Sequence, residues 1–351
     1  MCEAEKPRTI LFRCDGTSHT GLGHLSRSIA LAEALDDVGC QCAFVGTYDA
    51  SAAERLRAAG MHWDTPQTSP WSIEDADALT RIAVRRHALG VVVDSYGLDA
   101  EYLDRVATKG PPLLVIDDFA VLSRYPCAAV LNFTSRSGSL LYPGGRVQYF
   151  LGPRWLLARR ALRRRRADGV RELHRARRAL IAAGGNDPQD ITVPTTEALL
   201  ACAPRLSVRV VIGANQGTRP ALERLLARFD GDTRILGDLP DLSRELYWAD
   251  LCISSGGLTK YEAAYFGIPT GVLSQNDGQL MDTASMEEMG LVVNLGPASQ
   301  IDATRLGHQL RRLADDGALR ESLRQTGLIV LPPDPTHDFA TLLLSQVFRR
   351  T

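Results

Sequence analysis

Short apolar runs alternate with helix-patterned segments along almost the whole chain. A first series starts with the apolar run 9–14 and the helical segment 24–38, and it continues to residues 129–132. A second series starts at residues 179–183 and continues to residues 270–273 and the helices beyond. Alternating β and α segments form parallel sheets that are covered by helices. The sequence therefore predicts an α/β protein with two such sheets in tandem, facing a central cleft.

Composition limits the function classes. The 351 residues are 45% hydrophobic, which is enough material for two separate cores, and the formal net charge is only −1. A balanced charge gives no field for binding nucleic acid or a membrane surface, so neither is an expected partner. No stretch approaches the roughly 18 apolar residues of a membrane span, and the first residues contain no apolar signal core. We expect a cytoplasmic enzyme.

The seven cysteines and seven histidines show no paired metal-ligand spacing. A metal site is therefore not expected, and a reducing compartment suits unpaired cysteines. No cofactor is expected apart from a bound co-substrate.

An arginine-rich stretch, residues 154–178, separates the two series. It contains eleven arginines but only two acidic residues, Asp168 and Glu172. Such a stretch is either an arm that binds polyanions or a solvated helix that joins two domains, and charge runs usually face water. We place the first domain at 1–153, the linker at 154–178 and the second domain at 179–336.

The end of the first strand carries the main catalytic candidate. Ligands of open parallel sheets bind beyond the carboxyl ends of the strands. Here Asp15 ends the strand, Gly21 and Gly23 clear space, and His24 opens the next helix. We expect His24 to act as a general base oriented by Asp15, with His19 as a second choice. The alternative is a histidine that only packs or caps at the helix start.

A second candidate site follows the apolar strand at residues 251–253. Ser255, Gly256, Gly257 and Thr259 lead into a helix that contains Glu262 one turn later. Glycines allow close backbone approach, hydroxyls donate hydrogen bonds, and a helix start favours negative charge. The segment predicts a phosphate site, although a simple turn capped by Thr259 is the alternative. It matches neither a Walker loop nor a dinucleotide fingerprint, which speaks against ATP and NAD.

Other strand ends are also polar and extend both sites. Asp117 and Asp118, like Asp94, follow strands and could bind sugar hydroxyls or cap the next helix. The residues expected to contact the substrate are Asp94, Tyr96, Asn132, Gln275, Asn276 and Gln279. The residues expected to contact the nucleotide are Gly184, Gly185, Asn186, Gly213, Asn215, Leu239 and Leu258.

With these motifs, the chain resembles the family of nucleotide-sugar enzymes that contains the pseudaminic acid pathway UDP-sugar hydrolase and the spore-coat polysaccharide proteins. The shared landmarks are Arg13-Cys14-Asp15-Gly16, Gly21-Leu22-Gly23-His24, Val93-Asp94-Ser95-Tyr96-Gly97, Ile116-Asp117-Asp118, Leu151-Gly152-Pro153, Gly184-Gly185-Asn186-Asp187, Ser255-Gly256-Gly257, Glu262 and Gln279.

The resemblance implies a GT-B fold, in which two Rossmann-like domains face each other and the second holds the nucleotide. It also implies a C-terminal helix, within residues 337–351, that crosses back to the first domain. His24 corresponds to the histidine that activates the family's acceptor water. Ser255, Gly256, Gly257 and Glu262 correspond to its UDP-binding segment.

The chain departs from the hydrolase at Leu258, where the family often has serine, and at Gly278, where asparagine commonly precedes the glutamine. Around residues 256–262 it is similar to actinobacterial cytosylglucuronic acid synthases of nucleoside antibiotic pathways. That resemblance implies an inverting, metal-independent transfer of glucuronic acid from UDP-glucuronate to cytosine. Lys260 would then offer its charge to a carboxylate or a diphosphate, or would simply lie on the helix surface.

Two alternatives stay open. Water could be the acceptor, which would make the protein a nucleotide-sugar hydrolase, or the chain could be a catalytically inactive nucleotide-sugar sensor. The sequence does not predict the oligomeric state.

Overall fold

The computed structural model describes residues 8–17, 21–172, 175–184, 187–213, 216–229, 231–237, 239 and 241–349. The chain divides into two compact units. One unit runs to Arg160 and also includes the chain from Asp334 onward, and the other is Ala161–Pro333.

The first unit is built on one seven-stranded sheet. Its strands are β1 (Arg8–Arg13), β2 (Cys40–Val45), β3 (His62–Asp64), β4 (Ala88–Asp94), β5 (Leu113–Ile116), β6 (Ala129–Asn132) and β7 (Gln148–Leu151). Its first helices are α1 (Gly23–Asp37), α2 (Ala50–Ala58), α3 (Ile73–Arg85) and α4 (Ala100–Lys109). All neighbouring strands are parallel, in the order β3-β2-β1-β4-β5-β6-β7.

The sequence of the central strand explains its position. Ile10, Leu11 and Phe12 are completely buried, as expected for a strand covered on both faces. On one face, Leu79 of α3 and Leu103 of α4 join Leu11 in a common core. The strand order reverses between β1 and β4, and such a switch point leaves a crevice at the carboxyl ends of the two strands.

The second unit repeats this plan with six strands. They are β8 (Arg178–Ala182), β9 (Ser207–Val211), β10 (Thr233–Leu236), β11 (Leu251–Ser255), β12 (Thr270–Ser274) and β13 (Val293–Pro297). The helices are α5 (Arg160–Ala167), α6 (Thr192–Cys202), α7 (Arg219–Leu226), α8 (Ser243–Trp248), α9 (Thr259–Tyr265), α10 (Asp277–Glu288), α11 (Ala303–Asp315) and α12 (Gly317–Val330).

This second sheet is also parallel, in the order β10-β9-β8-β11-β12-β13. Leu199 of α6 and Leu310 of α11 pack with Ile181 and Ile253 in its core. Its switch point lies between β8 and β11. The predicted fold class, two α/β Rossmann-like domains, is confirmed.

The C-terminal segment belongs to the first unit. It forms α13 (Pro335–Leu342) and continues as a π-helical turn over Leu343–Val347. The Thr336 hydroxyl accepts a hydrogen bond of 2.7 Å from the backbone N–H of Ala158. Gly90 leaves room for the Phe348 ring, because a Cβ at this position would lie 2.5 Å from ring atoms.

The arginine-rich stretch 154–178 is not one exposed linker. It contains α5, and several of its side chains make ion pairs within their own unit. Arg159 binds Glu33 at 3.1 Å in the first unit, and Arg178 binds Asp250 at 2.9 Å in the second. Within the described residues, every helix is too short or too polar to cross a bilayer.

Candidate functional site

His24 and Asp94 meet at the switch point of the first sheet. His24 is the second residue of α1, which follows β1, and Asp94 is the last residue of the neighbouring strand β4. Nδ1 of His24 lies 2.6 Å from Oδ1 of Asp94. Asp94 is 1% exposed and His24 is 8% exposed, so solvent screens their interaction only weakly. The fold therefore brings together two residues that are 70 positions apart in the sequence.

Arg27, one turn further along α1, joins this pair to a second carboxylate. Its Nε and Nη2 donate to both oxygens of Asp94 at 2.7 and 2.6 Å. Its Nη1 donates to both oxygens of Asp118 at 2.8 and 2.7 Å. Arg27 is 4% exposed, so one buried guanidinium bridges two buried carboxylates. Sequence reasoning missed Arg27, although its position three residues after His24 places both on the same helix face.

The charges of this cluster determine which ring nitrogen carries a proton. Burial alone would raise the pKa of Asp94, but the charge of Arg27, the charge of His24 when it is protonated, and hydrogen bonds from both side chains together lower it to about 2. An ionised Asp94 can only accept, so Nδ1 of neutral His24 donates to it and Nε2 keeps a lone pair. This is the tautomer that a general base requires.

The sequence assigned the orientation of His24 to Asp15, and that assignment is wrong. Asp15 accepts instead from Arg13 Nη1 and from the backbone N–H of Thr47, both at 2.8 Å. Arg13 also binds Asp75 at 2.9 Å, so it connects two carboxylates. Asp15 thus ties the loop after β1 to the loop after β2, whereas the His24 ring is bound from β4.

An exposed aromatic pair lies beside His24. The Tyr96 ring packs against the imidazole in a T-shaped arrangement, with the ring centroids 4.3 Å apart, and its hydroxyl donates to Asp118 at 2.8 Å. Phe119 lies 5.0 Å from Tyr96. Tyr96 is 60% exposed and Phe119 is 40% exposed, so both rings offer a surface to a ligand. Of these two residues, the sequence predicted only Tyr96 as a substrate contact.

Two other predicted substrate contacts in this unit are buried. Asp94 is occupied by His24 and Arg27, as described above. Asn132 is completely buried, where its Oδ1 accepts from the N–H and hydroxyl of Thr134 and its amide donates to Tyr142. Both side chains satisfy interior hydrogen bonds, so the structure places neither of them at the surface of the site.

The predicted glycines leave open space near His24. Gly21 has a φ of +73°, which favours glycine, and a Cβ at Gly21 or Gly23 would meet no described atom within 4 Å. His19, the second choice for the base, lies outside the described residues.

The predicted phosphate site lies at the other switch point, between β8 and β11. Gly184 follows β8, and a Cβ on it would lie 3.3 Å from Oγ of Ser255, the last residue of β11. Gly256 packs even more tightly, since its Cβ would lie 2.5 Å from Cβ of Gln279. The structure therefore brings Gly184, Ser255, Gly256 and Gln279 together.

Amide side chains hold the strand and helix ends around this loop. Gln275 Nε2 donates to the carbonyl of Ala183 at 3.0 Å, and the Gln275 N–H donates to Oε1 of Gln279 at 2.9 Å. Asn276 caps α10, because its Oδ1 accepts from the N–H of Gln279. These contacts fix the geometry of the loop and leave Asn276 exposed.

The position of Lys260 differs from the helix-surface position that the sequence suggested. It is completely buried, with Nζ 2.8 Å from Asp282 and 3.3 Å from the Thr283 hydroxyl. Burial lowers its pKa, although Asp282 opposes that shift. Lys260 therefore faces α10 and does not lie on the helix surface, and its ammonium is already paired with a carboxylate of this chain.

The remaining predicted nucleotide contacts lie around the same sheet edge. Gly257 and Leu258, between β11 and α9, are partly exposed, as is Thr259, the first residue of α9. Glu262 is in the first turn of α9. Leu258, not Thr259, is the N-cap residue of α9. Gly213 and Leu239, which follow β9 and β10, are partly exposed. Gly185, Asn186 and Asn215 lie outside the described residues.

Among the described residues, no group of three or more histidine, cysteine, aspartate or glutamate side chains is arranged to hold a metal ion.

The chain is similar to known proteins in sequence and in fold. No protein-family model matches the sequence. Spore coat polysaccharide biosynthesis protein SpsG of Bacillus subtilis strain 168 is 25% identical over 321 residues, which cover 89% of this chain and 91% of SpsG. MurG of Acinetobacter baumannii is a structural neighbour with a TM-score of 0.66 at 16% identity, covering 96% of this chain and 99% of that protein.

Two further solved structures share the fold. Spinosyn forosaminyltransferase SpnP has a TM-score of 0.62 at 14% identity, covering 97% of this chain and all 100% of SpnP. MnaA of S. aureus, solved with UDP, has a TM-score of 0.63 at 12% identity, covering 98% of this chain and 99% of MnaA. The chain thus has the α/β fold of two Rossmann-like domains found in GT-B glycosyltransferases.

Proposed function

We propose that the protein is a glycosyltransferase that uses a nucleotide-sugar donor and has His24 as its general base. The observation that carries this proposal is the contact of 2.6 Å between His24 Nδ1 and the ionised, buried Asp94 at a switch point. Similarity to SpsG and to the forosaminyltransferase SpnP supports the reaction class.

The proposed reaction is a single displacement. The acceptor gives its N–H or O–H proton to Nε2 of His24 while its nitrogen or oxygen bonds to the anomeric carbon of the sugar. The bond from that carbon to the diphosphate breaks, and the nucleotide leaves with the electron pair. Asp94 stabilises the imidazolium that forms, and general-base assistance of this kind contributes about 10²–10⁴-fold in rate.

We propose that the nucleotide is UDP and that it binds at the glycine loop of the second unit. Ser255 and the backbone of Gly256 and Gly257 supply hydrogen-bond donors for phosphate oxygens. Gln275 and Gln279 keep the loop in place. The resemblance of the segment to a UDP-binding motif supports this assignment, as does UDP in the structure of MnaA. We expect no metal ion and no other cofactor, and no nucleic-acid or membrane partner.

UDP-glucuronate and cytosine are the first donor and acceptor to test, because residues 256–262 resemble those of cytosylglucuronic acid synthases, which use this donor and this acceptor. Lys260 gives that pair no support, since its ammonium is buried against Asp282. Recognition of a glucuronate carboxylate would therefore need another group.

The test uses the full chain with UDP-glucuronate, UDP-N-acetylglucosamine and one GDP- and one CMP-sugar. Release of the donor's own nucleotide, UDP, GDP or CMP, is measured with and without cytosine, and products are identified by mass spectrometry. Release that requires an acceptor supports transfer. Equal release without an acceptor assigns hydrolysis instead, and UDP binding without turnover of any donor contradicts an enzymatic role.

A further inference from the structure

Two other side chains connect Asp118 to His24. The chain of contacts runs from His24 Nδ1 to Asp94, from Asp94 to Arg27, and from Arg27 to Asp118. Both carboxylates and the guanidinium are at least nine-tenths buried, so water separates none of these charges. The cluster therefore behaves as one electrostatic unit.

The charges in this unit do not cancel while His24 is neutral. Arg27 contributes one positive charge, and Asp94 and Asp118 contribute two negative charges, so the net charge is −1 while His24 is neutral. A proton on His24 brings the sum to zero. A positive charge that develops on the imidazole is thus balanced by the unit as a whole, not by Asp94 alone.

Arg27 taken alone would oppose that uptake. Its Nη2 lies 3.1 Å from His24 Nδ1. Because Nδ1 donates to Asp94, this contact joins two donors and is no hydrogen bond. A guanidinium so close to the ring repels the imidazolium, and the carboxylate of Asp118, bound through both oxygens, neutralises it from the far side.

We propose that Asp118 is a positioning residue that sets how strongly His24 holds a proton, although Arg27 lies between them. The inference deepens the proposed function and rests on it for the use made of that proton. Three described titratable or charged groups contact His24: Asp94 from β4, Arg27 from α1 and Tyr96 from the loop after β4. Asp118 from the loop after β5 lies behind Arg27, and the buried Cys14 thiol after β1 interacts with Asp94. The Tyr96 hydroxyl holds the Asp118 carboxylate in place at 2.8 Å.

Asp117 offers a matched control. It is the preceding carboxylate at the same strand end and is similarly buried, 8% exposed against 9% for Asp118. Its oxygens bind the N–H of Phe119 and the Tyr125 hydroxyl, not Arg27. Asp117→Asn therefore removes the same unit charge from the same edge of the sheet without breaking the contact with Arg27.

The experiment follows the histidine Cε1 resonance of His24 by NMR in the full chain, titrated without substrate. The loss of one signal in His24→Gln assigns the resonance. In Asp118→Asn we expect the titration midpoint to fall by about one pH unit, since a charge a few ångströms away shifts a pKa by roughly 1–3 units and this one acts across a guanidinium. In Asp117→Asn we expect less than about one-third of that shift, because the Arg27 contact remains.

An unchanged midpoint in folded Asp118→Asn, or an equal fall in Asp117→Asn, overturns the proposal. If Asp118→Asn does not fold, Asp118→Ser replaces it, and its midpoint must also fall. The titration needs no donor or acceptor, so it is independent of failure of the proposed reaction. If the reaction is established, the acidic limb of kcat/KM in the same variant must move down by the same amount.

Discussion

The substitution Asp94→Asn removes one negative charge from the His24 site while keeping the size of the side chain. An asparagine amide can donate to Nδ1 of His24, which would place the ring proton on Nε2 and remove the lone pair needed by a base. An amide also does not stabilise an imidazolium as a carboxylate does. We expect the turnover number to fall by about 10²–10⁴-fold, the usual range for losing general-base assistance.

The same substitution should also lower the stability of the folded protein, by an amount that follows from the lowered pKa of Asp94. Burial raises the pKa of Asp94, but Arg27 and His24 lower it from the ordinary 3.8 to about 2. At about 1.36 kcal/mol per pKa unit, this difference corresponds to about 2 kcal/mol of native-state stability. Because the folded-state pKa is depressed, that stability is present above about pH 4 and is lost as the pH falls toward 2.

The assay combines steady-state UDP release at pH 7 with urea unfolding at several pH values. Asp94→Asn should be less stable than wild type at pH 7, and the gap should narrow between about pH 4 and pH 2, because only the wild type loses the carboxylate contribution there. Asp15→Asn is the control for turnover, because the Asp15 carboxylate binds Arg13 and Thr47 and not His24. A folded Asp94→Asn with more than about one-tenth of wild-type turnover would refute the reasoning.

Two predictions concern the second unit. Gly256→Ala should lower the free energy of unfolding by about 1–3 kcal/mol, because its Cβ would lie 2.5 Å from Gln279. In Gly257→Ala the Cβ would meet only Ser255 Oγ, at 3.8 Å, so the free energy of unfolding should fall by less. Thermal and urea unfolding of the two variants test this difference. Lys260→Met should cost about 3–5 kcal/mol by removing the ammonium partner of buried Asp282, yet should leave the relative affinity for UDP-glucuronate over UDP-N-acetylglucosamine unchanged in calorimetry. A selective loss of UDP-glucuronate binding would instead return Lys260 to the donor site.

The fold class could be predicted because it depends on a pattern that repeats along the chain. Runs such as Ile10 to Phe12 are apolar without interruption, which is typical of strands covered on both faces. The three-residue edge strand β3, His-Trp-Asp, was not predicted, because three residues are too few to show a pattern and only pairing with β2 makes them a strand.

The positions of both sites could be predicted for a related reason. Polar residues and glycines after strands 9–14 and 251–253 indicate sheet edges, and both sites do lie at switch points. The partner of His24 could not be predicted in this way. Asp15 is near in sequence, but which strand lies beside β1 is a property of the topology, and that strand is β4 with Asp94 at its end.

The burial of Lys260 has a similar explanation. Its neighbours in the sequence are those of a loop and a helix start, which usually face solvent. Asp282, which makes burial of the ammonium possible, lies on α10, 22 residues later. A buried ion pair between two helices depends on how the helices pack, and a single sequence does not encode that as a local pattern.

His24→Gln, measured for both turnover and binding, tests the central claim most directly. Glutamine cannot accept and release a proton near neutral pH, so UDP formation from the productive donor should fall by about 10²-fold or more. The dissociation constant for UDP, measured by calorimetry, should stay within about threefold, since the proposed nucleotide site uses the glycine loop of the second unit. Unchanged turnover in a folded His24→Gln variant would contradict the assignment of His24 as the base.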